Sequence, residues 1–548
     1  MKRNSILLLL IVILASIMRL SNLSGYPPGV NRDEASIGYT AYSILKTGKD
    51  EYGNSYPLSF RSFGDWKLPL YIYATIPTIM LFGLSEFSVR LPSAIAGIAT
   101  VFVVAKLLPL LLGKTKESYL IGLLAALSLA ITPWDIHLSR MASEANVAVF
   151  FTTLGLYLFF LGLAGNAMFV GLSFIVLILP YYTYHGNHIF STMLLVGLFY
   201  LYRNKIPKTK YTLTMGAVAV MVVIIILRAT LFSANITKLS GIGLFGNPAL
   251  VHEKIEEPRF VHTSGLFSRL MHNRPIFAVE TFVKNYINSY GPEFLFIKGG
   301  GNHAHNIPLF GNFYLADAPW FYLGIAAVLL LIKTQHKPLL IWWLVIAPIA
   351  SSMTKDAPHT ARMHALNPLS NMLIALGIYI TLTYALRSLP KMARLIPIFI
   401  ILILYGVNIF LYADRYLVHF PIEEARYWSK GYQLLTTLIK EKNPDRIIIA
   451  NPEESPYIYL LFYSQYDPLL YQKQAKLYPD TQDGFSHVAS FGLFEFRSPV
   501  WEKDVRIRNA IIVDYHDRIN NSILTSNDSI ALQKDYPNSL IAVQTSEK

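Results

Sequence analysis

Residues 89–112 read VRLPSAIAGIATVFVVAKLLPLLL, an apolar run whose only charges are Arg90 and Lys106 and which Gly113 and Lys114 close. About 20 mostly apolar helical residues cross a hydrocarbon core of roughly 30 Å, so this run predicts a transmembrane helix. Ten further runs have the same character, at 5–22, 118–134, 145–164, 167–184, 188–202, 211–232, 319–333, 338–353, 369–386 and 395–412. With 53% hydrophobic and 15% charged residues over 548 positions, the chain is too apolar for an ordinary soluble protein of this size. After 412 it becomes soluble in character. No clear small-x-small cleavage site follows the first run, which is therefore read as a span rather than a signal peptide.

The formal net charge of +13 is explained by topology. No basic stripe interleaved with aromatics appears, so nucleic acid is not an expected partner. With a cytoplasmic N-terminus, the inner loops carry 13 basic residues, from Lys2 and Arg3 to Arg387, Lys391 and Arg394. The short outer loops 134–144, 184–187 and 354–368 carry only Arg140, Lys355 and Arg362, the asymmetry that the positive-inside rule expects. The expected setting is the inner (plasma) membrane. The absence of cysteine rules out disulfides, thiolate catalysis and Cys-ligated metal.

Three long segments then lie outside: 23–88, 233–318 and the region from 413. Leu68 to Leu84 could span by hydropathy, but counting it would invert every later loop, so it is read as an interfacial helix. The C-terminal region combines an amphipathic helix pattern at 423–442, a strand-like run from Arg446 to Ala450, a Tyr-rich helix near 457–465 and a strand from Ala510 to Val513, which predicts an α/β domain. The expected domains are thus a membrane domain at 1–412, with outer loops 23–88 and 233–318, and an extracytoplasmic soluble domain at 413–548.

Candidate chemistry collects on the outer side. Asn31-Arg32-Asp33-Glu34 opens a helical pattern running to Lys46, so its two carboxylates either complement the positive helix end or supply a general base. Gly64-Asp65-Trp66-Lys67-Leu68-Pro69 follows, then Gly83-Leu84-Ser85-Glu86 and Arg90-Leu91-Pro92-Ser93. Arg90 either snorkels at the end of a span or binds a partner. Ser139-Arg140-Met141 through Glu144 begins the fourth span. Tyr181-Tyr182-Thr183-Tyr184-His185-Gly186-Asn187-His188 joins two spans, as aromatic anchors or as the lining of a sugar or phosphate pocket. Lys298 to Asn306 contains three glycines, His303 and His305, a pattern open to phosphate on backbone amides, to metal on imidazole, or to a plain surface loop. His359 and Arg362 cap the ninth and tenth spans, where a guanidinium suits a bidentate grip on lipid phosphate.

An acidic pair in the first outer loop, a Lys-x-Pro element, and Gly-x-Ser-Glu followed by Arg-Leu-Pro-Ser resemble the membrane glycosyltransferases of the GT-C fold, especially protein O-mannosyltransferases and lipid A aminoarabinose transferases. The resemblance is good over about 1–190, looser to 412 and weak beyond. It implies a GT-C fold of about 11 transmembrane helices, and a sugar moved from a polyprenyl-phosphate carrier to an acceptor lipid, glycan or protein outside the membrane. Asp33 matches the position of the family's catalytic acidic residue, with Glu34 as fallback. Glu144 stands where some branches carry Asp near that carboxylate. Lys67, Arg90, Arg140, Tyr182, His185, His303, His305, His359 and Arg362 become the candidates for binding donor or phosphate. The resemblance leaves a divalent metal open and requires no other cofactor; membrane lipids are the remaining partners.

The main rival is a transporter or flippase of a lipid-linked saccharide. Such a protein should carry ionisable or unwound polar sites near the bilayer midplane, often in two related halves, and the sequence shows neither. All six constellations fall instead on one side of a topology set independently by loop charge.

Overall fold

The computed structural model describes residues 2–63, 65–232, 243–246, 248–259, 265–451, 454–479, 487–519, 528–532 and 540–545. Part of the second long loop expected at 233–318, including 233–242, lies outside the described residues. Among those described, five helices are long and apolar enough to cross a membrane: Arg3–Leu20, Glu86–Leu112, Glu144–Leu163, Thr360–Ser388 and Lys391–Glu423. Lys116–Ile131 and Pro133–Ser139 form a sixth as a pair bent by 59°. The bend falls where Pro133 lacks the N–H that would continue the ladder. Ala167–Tyr182, Asn187–Tyr202, Lys210–Ile226, Leu315–Leu330 and Lys337–Ser352 are apolar but shorter. Each of the eleven expected runs therefore lies on an apolar helix; six meet the length and composition of a span over the described residues, and the helix from Lys210 continues to Phe232, 23 residues in all. Pro69–Phe82, the segment read as interfacial, is a separate helix of 14 residues and too short to cross.

Two compact units emerge: one of 1–21, 93–139 and 143–413, the other of 22–92, 140–142 and 414–548. In the first, helices approach through glycine. A Cβ at Gly324 would stand 2.1 Å from the Leu373 carbonyl oxygen, and one at Gly377 would stand 2.2 Å from that of Trp320, so the Ala318–Leu330 and Asn367–Ser388 helices touch backbone to backbone. A buried ion pair adds specificity: Arg19 Nη2 meets Asp135 Oδ2 at 2.5 Å, and Asn367 donates to Asp135 Oδ1 at 3.0 Å. The Ile396–Asp414 helix exposes Phe399, Ile403, Val407 and Phe410, an apolar surface that only lipid or another apolar partner makes favourable.

In the second unit, Asn31 caps the Arg32–Thr47 helix in a capping box with Glu34. Strands β1 (Phe60–Ser62) and β2 (Asp65–Lys67) pair antiparallel, with Phe60 opposite Lys67. The C-terminal part holds β3 (Arg446–Ile449), β4 (Lys476–Leu477), β5 (Val488–Phe491), β6 (Phe494–Phe496), β7 (Ala510–Tyr515), β8 (Asp528–Ala531) and β9 (Leu540–Gln544). Among the described residues these form one sheet of order β4-β5-β6-β3-β7-β9-β8, with β3 parallel to β6 and to β7 and the other pairs antiparallel. Ile447, Ile448 and Ile449 are all buried, as a parallel strand covered on both faces requires. The α/β character expected here is present. The helix expected from 423 instead runs Lys430–Lys442, because Ser429 takes a left-handed φ of 50° that ends the preceding turns.

Candidate functional site

Asp33 and Glu34 sit in the first turn of one helix, about 100° apart around its axis, so adjacent carboxylates face opposite surroundings. Glu34 turns inward and is fully buried. Its Oε1 accepts from Arg90 Nε at 3.0 Å and from the Ala142 amide at 2.7 Å; its Oε2 accepts from Arg90 Nη2 at 3.0 Å and from the Asn31 amide at 3.3 Å. Arg90, also fully buried, donates further to the carbonyls of Leu23 (2.9 Å), Pro27 (3.0 Å) and Gly29. The two side chains therefore latch the loop ahead of the helix. Gly29 completes that loop with φ +85°, where a Cβ would also stand 2.4 Å from the Trp428 carbonyl oxygen. Arg140 serves the same loop, donating to the carbonyls of Asn22 and Tyr26 at 3.1 Å each.

Asp33 points the other way. It is 61% exposed, and its Oδ1 meets Lys67 Nζ at 2.6 Å, while the Lys67 side chain is 6% exposed. An accessible carboxylate thus stands beside a sheltered lysine at the end of β2, just ahead of the Pro69–Phe82 helix. The same loop holds a residue that sequence reasoning passed over. Glu51 is buried, and burial first of all, with Asp50 adding to it, pushes its carboxyl up to about 8, against the opposing influence of Lys67 and of the Tyr457 hydroxyl. The available signal was a second acidic pair, Asp50-Glu51, in the same loop as Asp33 and Lys67.

The other candidates belong to the first unit. Glu144 is half-buried in the first turn of the Glu144–Leu163 helix, which Ser143 caps by accepting from the Asn146 amide at 3.2 Å. Tyr182 is half-buried and His185 exposed. The ring of His185 lies 5.3 Å from that of buried His188, whose Nε2 is 2.9 Å from the Tyr181 carbonyl. His303 is exposed, whereas His305 approaches His359 with ring centroids 5.2 Å apart. His359 Nε2 lies 3.7 Å from Asp356 Oδ2, and Arg362 pairs with Asp356 at 2.5 Å. Burial, with His305 and Arg362 nearby, holds His359 well below the usual histidine range. A cleft of about 420 Å³ is lined by Gly299–Asn302 and Asp356–His359. Arg362, His305 and His359 are thus gathered beside it, with Asp356 already neutralising the guanidinium. Among the described residues, no group of three or more His, Asp or Glu side chains converges with metal-ligand spacing.

The Arg19–Asp135 pair was also missed. Its signal was a lone Arg and a lone Asp, each beside or within an apolar run, where an unpaired charge is costly.

Among the described residues, several apolar helices, a polar first loop built around a buried ion pair, and a C-terminal mixed sheet define a multi-pass membrane protein with an α/β part. Residues 9–169 match the family model of dolichyl-phosphate-mannose-protein mannosyltransferases. No curated protein matches the chain by sequence. Among solved structures, ArnT from Cupriavidus metallidurans in the apo state aligns with TM-score 0.52 and 13% identity, over 98% of this chain and 97% of that one. The same protein bound to undecaprenyl phosphate aligns with TM-score 0.53 and 12% identity, over 98% of each chain. The archaeal oligosaccharyltransferase AglB from Archaeoglobus fulgidus, in complex with an inhibitory peptide and a dolichol-phosphate, aligns with TM-score 0.50 and 13% identity, over 84% of this chain and 63% of that one. The resemblance read from the first-loop motifs holds, and the fold is the GT-C fold.

Proposed function

We propose that this chain is a membrane glycosyltransferase that moves a sugar from a polyprenyl-phosphate carrier to an acceptor hydroxyl on the outer face of the inner membrane. The carrying observation is the Asp33–Lys67 pair, an exposed carboxylate held 2.6 Å from a sheltered ammonium. The match of residues 9–169 to a family named for a lipid-phosphate sugar donor supports the reading, since both residues fall within it. So do the polyprenyl phosphates named with ArnT and AglB.

In the proposed single displacement, Asp33 takes the proton of the acceptor hydroxyl as its oxygen attacks the anomeric carbon. The bond from that carbon to the phosphate oxygen breaks, its electron pair leaves with the polyprenyl phosphate, and Lys67 balances the developing charge. Attack opposite the leaving group inverts the anomeric centre. Glu34, whose carboxylate oxygens bond Arg90 and backbone amides, serves the loop that carries Asp33, as do Arg90 and Arg140. In the other unit, the cleft beside Arg362, His305 and His359 is the second candidate phosphate site, reached by exchanging Asp356 for phosphate on Arg362. Tyr182, His185 and His303 are further donor-side candidates, and Glu144 a second acidic one.

The test is sugar transfer from a radiolabelled polyprenyl-phosphate sugar in proteoliposomes. Asp33→Asn should lower turnover by roughly 10²- to 10⁴-fold, the usual contribution of a positioned base. Undiminished transfer would remove Asp33 from that role.

A further inference from the structure

The helix Arg274–Asn288, in the second long loop, is amphipathic in the sense opposite to that of a water-facing helix. Ile276, Val279, Val283 and Ile287 recur every three or four residues and so form one stripe along it. That stripe is the exposed one: Val279 and Ile287 are 64% exposed, Val283 47% and Ile276 39%. Asn285, on the opposite side of the helix, is buried and donates to the carbonyls of Ser352 at 3.2 Å and Thr354 at 3.3 Å. A polar side turned inward and an apolar side turned outward is unfavourable against water and favourable against hydrocarbon. The short helix before it, Leu266–Met271, has the same character, with Leu266 and Phe267 each 76% exposed and Leu270 56%.

What flanks the stripe identifies what covers it. The helix is fastened to the ends of two apolar helices, Lys337–Ser352 and Leu315–Leu330. Tyr286 donates its hydroxyl to the Val345 carbonyl at 2.8 Å, Tyr290 to that of Leu344, and Tyr322 to the carbonyl of Tyr290 at 2.9 Å. Val345 and Tyr322 are themselves exposed on those two helices, so the stripe extends a surface that membrane insertion gives to lipid. Tyrosines joined in this way are the side chains that favour the level of the headgroups. Arg269, Arg274 and Lys284 are exposed on the same two short helices, with Glu280 the one acid between 266 and 288, a balance complementary to lipid phosphates.

We propose that 266–288 is an interfacial lipid-binding element: its apolar stripe lies among the acyl chains just below the headgroups, its basic side chains meet the phosphates, and it seats the cleft of Gly299–Asn302 and Asp356–His359 at the bilayer surface. Both walls of that cleft hang from this element. Thr354, which Asn285 holds, stands just ahead of Asp356, and the chain leaving the helix reaches Gly299 after the single turn Glu293–Ile297. A lipid-borne headgroup would then meet the cleft from the membrane plane without leaving the bilayer. The lipid contact itself does not depend on the transferase reading.

The chain has no cysteine, so single cysteines can be spin-labelled without background. Val279→Cys, Val283→Cys, Ile287→Cys and Gly301→Cys are placed one at a time in the full chain, in nanodiscs of phosphatidylcholine and phosphatidylglycerol. Power-saturation EPR then compares collisions with oxygen, which concentrates in lipid, and with a water-soluble nickel chelate. The three stripe labels should collide more with oxygen than with the chelate and read a depth of about 5–10 Å into the boundary between headgroups and acyl chains. They are three independent sites, each already exposed, so poor folding of one leaves the others. The Gly301 label, on a cleft wall where an added Cβ meets nothing within 4 Å, should read at the headgroup layer. Stripe labels more accessible to the chelate than to oxygen place the stripe in water and overturn the proposal. Labels shielded from both reagents place it against protein, a second copy or another segment of this chain, and overturn it equally. A Gly301 label that behaves as in bulk water overturns the seating of the cleft.

Discussion

Glu34→Gln keeps the volume of the buried side chain and removes its charge. Arg90 is then left fully buried without the carboxylate it is hydrogen-bonded to, and the amides of Ala142 and Asn31 lose a charged acceptor. Hydrogen bonds to charged groups contribute roughly 1.5–3 kcal/mol each, but the four at Glu34 share one carboxylate and do not add. The better guide is the cost of removing one partner of a buried ion pair, about 3–5 kcal/mol. Because the bonds from Arg90 end on Leu23, Pro27 and Gly29, the loss should appear as local opening of 22–35 more than as global unfolding. At about 1.4 kcal/mol per factor of ten, amide exchange in that segment should quicken by about 10²- to 10³-fold, read by hydrogen–deuterium exchange and mass spectrometry in nanodiscs. Arg90→Gln should do the same, while the double variant, with neither charge left alone, should be destabilised by about 2–3 kcal/mol less than the sum. Unchanged exchange at 22–35 in Glu34→Gln, or strict additivity in the double variant, would refute the latch.

Lys67→Met should raise KM for a lipid-phosphate donor by about 10- to 100-fold through loss of one charge-assisted contact, measured by initial rates in proteoliposomes; Lys67→Arg should restore part of the binding but hold Asp33 in a different geometry and so lower kcat. His359 is kept neutral through the physiological range, so His359→Gln should leave the shape of the pH–rate profile between pH 5.5 and 7.5 unchanged; the disappearance of an inflection there would contradict the neutral state. Gly377→Val should destabilise the chain by about 1–3 kcal/mol or prevent its accumulation, because a Cβ there stands 2.2 Å from the Trp320 carbonyl oxygen; a thermal-shift assay in detergent checks it.

Much of the architecture could be read from local pattern. Hydropathy found the apolar helices because a span must satisfy its own backbone within consecutive residues, and the helix start at Asn31–Glu34 was legible from its acidic first turn, whereas the Asn31–Glu34 capping box was not read. The strands at 446 and 510 were legible as short β-branched runs, but the parallel pairing of β3 with β6 on one side and β7 on the other was not. Helix length was less legible, since apolarity continues across breaks such as the 59° bend at Pro133.

By itself, then, the sequence determined a multi-pass membrane protein, the loop that carries the acidic pair and the family that this pair resembles. Those properties reside in composition, period and motif order. Only the tertiary structure decided which carboxylate is available. Asp33 and Glu34 are neighbours in the chain and equivalent in composition, yet one reaches Lys67 across 34 positions at an exposed surface, and the other is buried against Arg90 across 56. It also decided that Glu51 is buried while Asp33 is exposed, because burial depends on which distant segments meet, and no local spacing records that.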